Sequence, residues 1–359
     1  MSEFLQRRQG AVSALGPNKV EAMLISSPAS IRYLTGYSGS NGLVLLTPTE
    51  SHFFTDPRYA TDARANIDGK VHICKKPLID EAGAVIRQKR LRRVAFEPGW
   101  MHVDTFERLK KAAGKGCKLM AVGGVIETMR AVKSPDEIAL IRASVLVNSE
   151  AFSKTLRRVK ANVRELDIAA ELDFQMRMGG AENTAFETIV ASGARSALPH
   201  ARPTDKKVQM GEFLLIDMGA LRQGYCSDMT RMAFMGAPPK RAKDLYNAVL
   251  EAQLAAIAVV KEGVPVAKVD AAARNVLKKH GLEKAFVHST GHGLGLEIHE
   301  GPRIAKKVAD KLEAGMVITV EPGAYIEGFG GVRIEDTVLV TETGCEILTP
   351  TPKEFVQLA

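Results

Sequence analysis

Apolar and polar positions along this chain follow two rhythms. Residues 20–26 and 42–47 are short runs rich in Val, Ile and Leu, bounded by turn residues, and predict β-strands. Residues 52–55 continue the second run as a hairpin, and residues 58–66 and 103–113 predict helices. Between them, residues 37–42 (YSGSNG) read as a loop, because Gly and Asn tolerate left-handed backbone. These elements make an α/β unit of about the first 125 residues.

Longer helical periods follow. In KSPDE (133–137), Ser134 can cap a helix, Pro135 suits its first position and Glu137 can complete a capping box. Ile138, Leu140, Ile141, Val145 and Leu146 then supply its buried face. Further helices are predicted at 165–178, stopped by Gly179 and Gly180, after Pro238 and Pro239, and at 269–280, closed by Gly281. Strands are predicted at 212–220, 225–235, 316–321 and 332–341. Helix pairs followed by strand pairs occur twice, without a convincing sequence repeat. The layout is α+β, with a curved antiparallel sheet against helices, and the domains are 1–127 and 128–359.

Composition narrows the function. The chain has 359 residues, 45% of them apolar, enough for one large or two ordinary domains. The net charge of +8 is spread without a nucleic-acid motif, so a solvated basic surface explains it and no nucleic-acid partner is expected. Cys74, Cys117, Cys226 and Cys345 form no CxxC pair, which leaves no zinc knuckle or redox motif. The N-terminal sequence lacks the apolar core of a signal peptide, and no apolar run is long enough to span a bilayer. A cytoplasmic setting without a membrane partner is the expectation.

Five side chains with metal-binding chemistry lie in the second region: Asp217, Asp228, His292, Glu321 and Glu335. A tight hairpin closed by Leu221 and Gly224 would set Asp217 directly opposite Asp228, two carboxylates that repel unless a cation lies between them. Glu321 ends an apolar strand and Glu335 lies within another; the alternative for each is a half-exposed strand acid paired with a lysine or with Arg333. His292 stands among three glycines, which let backbone and metal approach closely. His288 and His299 lie nearby. His299-Glu300 does not begin a zincin helix, because Arg303 occupies the second histidine position. One imidazole and four carboxylates form a hard donor set that suits a pair of Mn(II), Co(II) or Zn(II) ions, with Mn favoured.

With its Asp-(x)10-Asp spacing, GHG at 291–293, EPG at 321–323 and RIED at 333–336, the chain resembles the M24 metallopeptidases. The N-terminal stretch, with IRYLTG (31–36), SNG (40–42) and TDPRY (55–59), resembles the creatinase-type domain of the proline-directed branch. The resemblance implies a C-terminal pita-bread fold behind an N-terminal α/β creatinase-like domain. It implies Xaa-Pro dipeptidase (prolidase) activity, by attack of a metal-bridging hydroxide on the Xaa-Pro bond of proline-containing peptides. Aminopeptidase P activity on longer peptides is the alternative, and a metal-free binding module of the same fold would be expected to lack one of the ligands. Asp217, Asp228, His292, Glu321 and Glu335 would hold two divalent ions. Glu321, His200 and His299 would be catalytic, and His288 and Arg303 would bind substrate, with Arg303 taking the free carboxylate of a dipeptide. Ser289 stands where many members carry glycine. A homodimer, with each N-terminal domain near the partner's cleft, is also implied.

Overall fold

The computed structural model describes residues 2–359. The chain forms two compact units, Met1–Arg130 and Ala131–Ala359.

The first unit is a six-stranded mixed sheet covered by helices. Its strands are β1 (Ala22–Ile25), β2 (Leu43–Leu46), β3 (Ser51–Thr55), β4 (Lys70–Ile73), β5 (Arg93–Phe96) and β6 (Lys118–Ala121), in the order β4-β3-β2-β1-β5-β6. β1 and β2 are buried along their whole length, which is why they read as continuous apolar runs and not as alternating ones. β2 and β3 form the expected antiparallel hairpin. The helices are α1 (Glu3–Ser13), α2 (Pro28–Thr35), α3 (Ala60–Asn66), α4 (Leu78–Gln88) and α5 (Val103–Ala113). The helix expected at 58–66 begins instead as a 3-10 turn, Pro57–Tyr59, whose cap is the Asp56 carboxylate. Leu24, Leu45, Ile86 and Leu109 fill the core between sheet and helices. A short helix, α6 (Val125–Ala131), follows.

The second unit opens with α7 (Pro135–Leu156), and both halves of its capping box form: the Ser134 hydroxyl accepts from the Glu137 amide while the Glu137 carboxylate accepts from the Ser134 amide. α8 (Glu165–Met178), α9 (Lys240–Ile257) and α10 (Val266–Lys279) complete its helices. A curved antiparallel sheet against helices was the expectation, and helices do pack on antiparallel strands. The strands group into four hydrogen-bonded sheets. β7 (Asn183–Thr184), β10 (Ala220–Arg222) and β11 (Tyr225–Cys226) make one; β8 (Ile189–Ser192), β9 (Phe213–Met218), β12 (Met229–Met235) and β20 (Val356–Leu358) make the second. β13 (Gly291–Gly293), β14 (Glu300–Ile304), β15 (Val317–Val320), β18 (Asp336–Val340) and β19 (Cys345–Ile347) make the third, and β16 (Gly323–Ile326) with β17 (Gly330–Arg333) the fourth. The long hairpins expected at 212–235 and 316–341 exist, but each is interrupted part-way, and the interruptions hold Asp228, Glu321 and Glu335.

Two apolar bodies support these sheets. Leu172 and Met176 of α8 pack with Leu214, Ile216 and Ala233. Val249 of α9 and Val269 of α10 pack with Ile318 and Val338. The two halves repeat a detail: an isolated bridge, Arg164 to Lys207 before α8 and Pro265 to Lys311 before α10, ties each helix start to a later stretch of chain outside the strands.

Candidate metal centre

The hairpin carrying Asp217 and Asp228 closes one residue later than expected at its first strand. Arg222 pairs with Tyr225 around a two-residue turn in which Gln223 (φ 48°) and Gly224 (φ 78°) are both left-handed, the geometry that suits twisted strands. The register therefore sets Asp217 opposite Thr230, not opposite Asp228. Asp228 falls two residues before Thr230, in the gap between β11 and β12. A shift of two keeps the face, so the two aspartates are diagonal neighbours on one side of the hairpin. Direct opposition occurs in the other hairpin. Val320 pairs with Asp336 and Gly323 with Arg333, and the Ile334 amide donates to the Pro322 carbonyl, which places Glu321 across from Glu335 where β15 gives way to β16.

His292 arrives on β13, threaded between β14 and β15. Its glycine neighbours are required by space. A Cβ on Gly291 would lie 2.0 Å from the Thr319 carbonyl oxygen, and one on Gly293 2.0 Å from that of Gly301. The His292 amide donates to the Thr319 hydroxyl at 3.1 Å, and its Nδ1 lies 3.0 Å from the Gly293 carbonyl. That contact places the proton on Nδ1 and leaves the Nε2 lone pair facing the acids, 3.5 Å from Glu321 Oε1 and 3.7 Å from Asp228 Oδ2.

Ligand atoms of Asp228, His292 and Glu335 all lie within 4.8 Å of one another. Asp217 is drawn aside by an ion pair to Arg333, with Oδ2 engaged and Oδ1 without a partner. Asp228 Oδ1 is equally without a partner. Burial raises the carboxyl of Asp228, and Glu335, Asp217 and Glu321 raise it further. Glu335 is raised by burial and then by Glu321 and Asp217, against the Thr230 hydroxyl that donates to it at 2.7 Å. Glu321 is pushed up to about 7, chiefly by burial, although Arg333 opposes this. Burial pushes His292 down to about 4, so its imidazole is neutral and able to coordinate. Four acids share one bonded cation, Arg333, among the described residues. Two orphaned carboxylate oxygens, an aimed imidazole lone pair and surplus negative charge fit divalent cations bound by oxygen-rich ligands.

All nine residues singled out in the sequence line one cavity of about 830 Å³. Glu335 is 1% exposed, and Arg333 bonds Asp217, so the half-exposed Glu335–Arg333 pair weighed above is not formed. His299 packs edge-on against His292, ring centroids 4.5 Å apart. Arg303 pairs with His292 across β13 and β14. His200 and His299 are exposed on the cavity wall. Both ring nitrogens of His288 are engaged: Nδ1 lies 2.8 Å from the Ser289 carbonyl, and Nε2 lies 2.9 Å from the Tyr325 hydroxyl. Arg333 donates to that hydroxyl at 2.7 Å. Tyr325, Thr230 and the cross-link from Arg333 to Asp217 are what sequence reasoning missed. Strand alternation from Glu335 to Arg333 could have put that arginine on the site face; nothing local marked Tyr325.

Residues 139–342 match the model of metallopeptidase family M24, and residues 7–132 match the creatinase/prolidase N-terminal domain. The chain belongs to family M24. It is 35% identical to a Xaa-Pro dipeptidase of Pyrococcus furiosus, over 98% of this chain and 99% of that protein. Among solved structures, it superposes on a Xaa-Pro dipeptidase from Bacillus anthracis with a TM-score of 0.96 and 36% identity, covering 99% of this chain and all of that one. An X-Pro aminopeptidase from Thermotoga maritima gives a TM-score of 0.89 and 37% identity, over 95% of this chain and 98% of that one. The M24 chain is therefore a hydrolase of the metallopeptidase class, and no helix among its described residues is long and apolar enough to cross a membrane.

Proposed function

We propose that this chain is a Xaa-Pro dipeptidase that uses two divalent ions, with Mn favoured by its hard donors. The observation that carries the reading is the buried group of Asp217, Asp228, Glu321 and Glu335, with Arg333 as its one bonded cation among the described residues, around the Nε2 atom of His292. Bound ions would supply an activated water and polarise the scissile carbonyl. Asp228, His292 and Glu335 would hold them together with Glu321 and the open oxygen of Asp217. Glu321, lining the cavity beside the place of the ions, would take a proton from water and pass it to the imino nitrogen of proline. His299 and His200 face the cavity, where a donor can meet the developing oxyanion. Arg303 would pair with the free carboxylate of a dipeptide. His288 would serve the substrate side as a fixed wall, its nitrogens already committed. The first unit would act as the creatinase-like N-terminal domain of a cytoplasmic homodimer.

The comparable likeness to an X-Pro aminopeptidase favours a second reading, cleavage of longer peptides after Xaa. Hydrolysis of Ala-Pro and of Ala-Pro-Ala by chelated protein restored with Mn, Co or Zn tests both. Metal-dependent cleavage of Ala-Pro, with the tripeptide spared, is expected. Rapid tripeptide cleavage transfers the assignment to the aminopeptidase, and no cleavage of either with metal bound removes both.

A further inference from the structure

His288 is reached by the chain through residues 286–290, which belong to no strand or helix. Carbonyls in such a segment need partners from elsewhere. Arg274 of α10 provides two of them, held in turn by Asp270 one helical turn earlier. Arg274 donates from NH1 to the Phe286 carbonyl at 3.1 Å and from NH2 to the His288 carbonyl. Its Nε donates to Asp270 Oδ2 at 2.7 Å, and its guanidinium lies over the Phe286 ring, 4.2 Å from the centroid. Asp270 is fully buried, and its other oxygen accepts from the Thr290 hydroxyl at 2.8 Å. Alternate residues 286, 288 and 290 are thus fixed from one side, as a neighbouring strand would fix them, by an arginine fork and an aspartate. Val287, between the clamped carbonyls, is 68% exposed and lines the cavity. From His288 the bonds continue through Tyr325 and Arg333 to Asp217.

We propose that Arg274 is a positioning residue for the peptidase reaction. It sets the place of His288 through its backbone, and through the ring of His288 the orientation of Tyr325 and Arg333 behind Asp217. Arg274 lies on α10 and does not itself line the cavity. The inference rests on the dipeptidase reading for its kinetic consequence, and the clamp itself does not.

A double-mutant cycle in the full-length, Mn-loaded protein separates this from a general structural role. Arg274→Met is expected to lower kcat/KM for Ala-Pro by about 30-fold, on the scale of a displaced active-site group. In a His288→Ala background the same change is expected to cost under about threefold, since the group it acts through is gone. Equal losses in both backgrounds, or no loss in either, overturn the proposal. Hydrogen exchange gives a readout that needs no activity: the amides of 286–290 should exchange about tenfold faster in Arg274→Met, with α9 unchanged. Unchanged exchange there overturns the clamp. If Arg274→Met does not fold, Arg274→Lys takes its place. It keeps the Asp270 pair with one donor fewer for the carbonyls, and a loss of about threefold, again absent in His288→Ala, is expected. Wild-type protein that binds Mn and leaves Ala-Pro intact removes the dipeptidase reading, and the exchange result then decides the clamp alone.

Discussion

Glu335 and Asp336 are neighbours in sequence, both buried, and they live in opposite electrostatic circumstances. Asp336 is fully matched: Arg231 NH2 reaches Oδ1 at 2.7 Å, and Lys353 and Gln253 reach Oδ2 at 2.5 and 2.8 Å. The remaining donors of Arg231 end on the carbonyls of Thr230, Glu335, Thr351 and Pro352. Glu335, on the other face, has one hydroxyl from Thr230, faces Glu321 and Asp217, and has no bonded cation, Arg333 acting on it only at a distance. The chain encodes counter-charges for one carboxylate and withholds them from the next. A carboxyl buried among acids keeps its proton unless a cation replaces it, so this pocket suits a charge that the chain does not encode.

Breaking each side in turn sharpens the contrast. Asp336→Ala strands the buried Arg231, and a loss of about 3–5 kcal/mol is expected in urea unfolding. Glu335→Gln in chelated protein should leave stability unchanged or higher, because it relieves repulsion. Similar large losses for both would erase the distinction. Adding Mn(II) to wild-type protein at a hundred times its dissociation constant should raise stability by about 2.7 kcal/mol. Glu335→Gln should lose most of that gain, and a metal response that survives the substitution undamaged would place the ions elsewhere.

The smallest effect is the share of the pH slope in chelated protein that Glu321 alone supplies, since Asp228 and Glu335 are raised with it and His292 acts in the opposite sense. Glu321 has a folded value near 7 against 4.5. Its contribution to stability is complete below 4.5 and is lost as pH rises to about 7. His292, near 4 against 6.5, contributes above 6.5 and loses that as pH falls to about 4. Thermal unfolding between pH 4.5 and 7.5 should show Glu321→Gln gaining on wild type as pH rises. A constant gap between the two would contradict the burial of an ionising Glu321.

What could be read from the residues was local. The capping box at Ser134 and Glu137, and the helix Glu165–Met178, follow from side chains within a few positions of each other. The acids were recognisable because carboxylates are out of place in apolar strands. The pairing was less accessible. Register depends on which two residues make the turn, and Gln223 accepting a left-handed conformation moved the partner of Asp217 to Thr230. The gaps at Asp228, Glu321 and Glu335 come from how four sheets meet. Arg333 bonds Asp217 across 116 residues of chain, a distance over which sequence pattern carries no signal.

Those gaps have a mechanical meaning. The backbone amide of Glu335 donates to Thr230 of β12, and that of Glu321 to Thr290, ahead of β13. Glu335 is thus a stitch between two sheets, while Glu321 carries the β13–β15 pairing one step past the end of its strand. A cation held by Glu335 would therefore also tie the seam between those two sheets, and its removal would loosen that seam before either sheet melted.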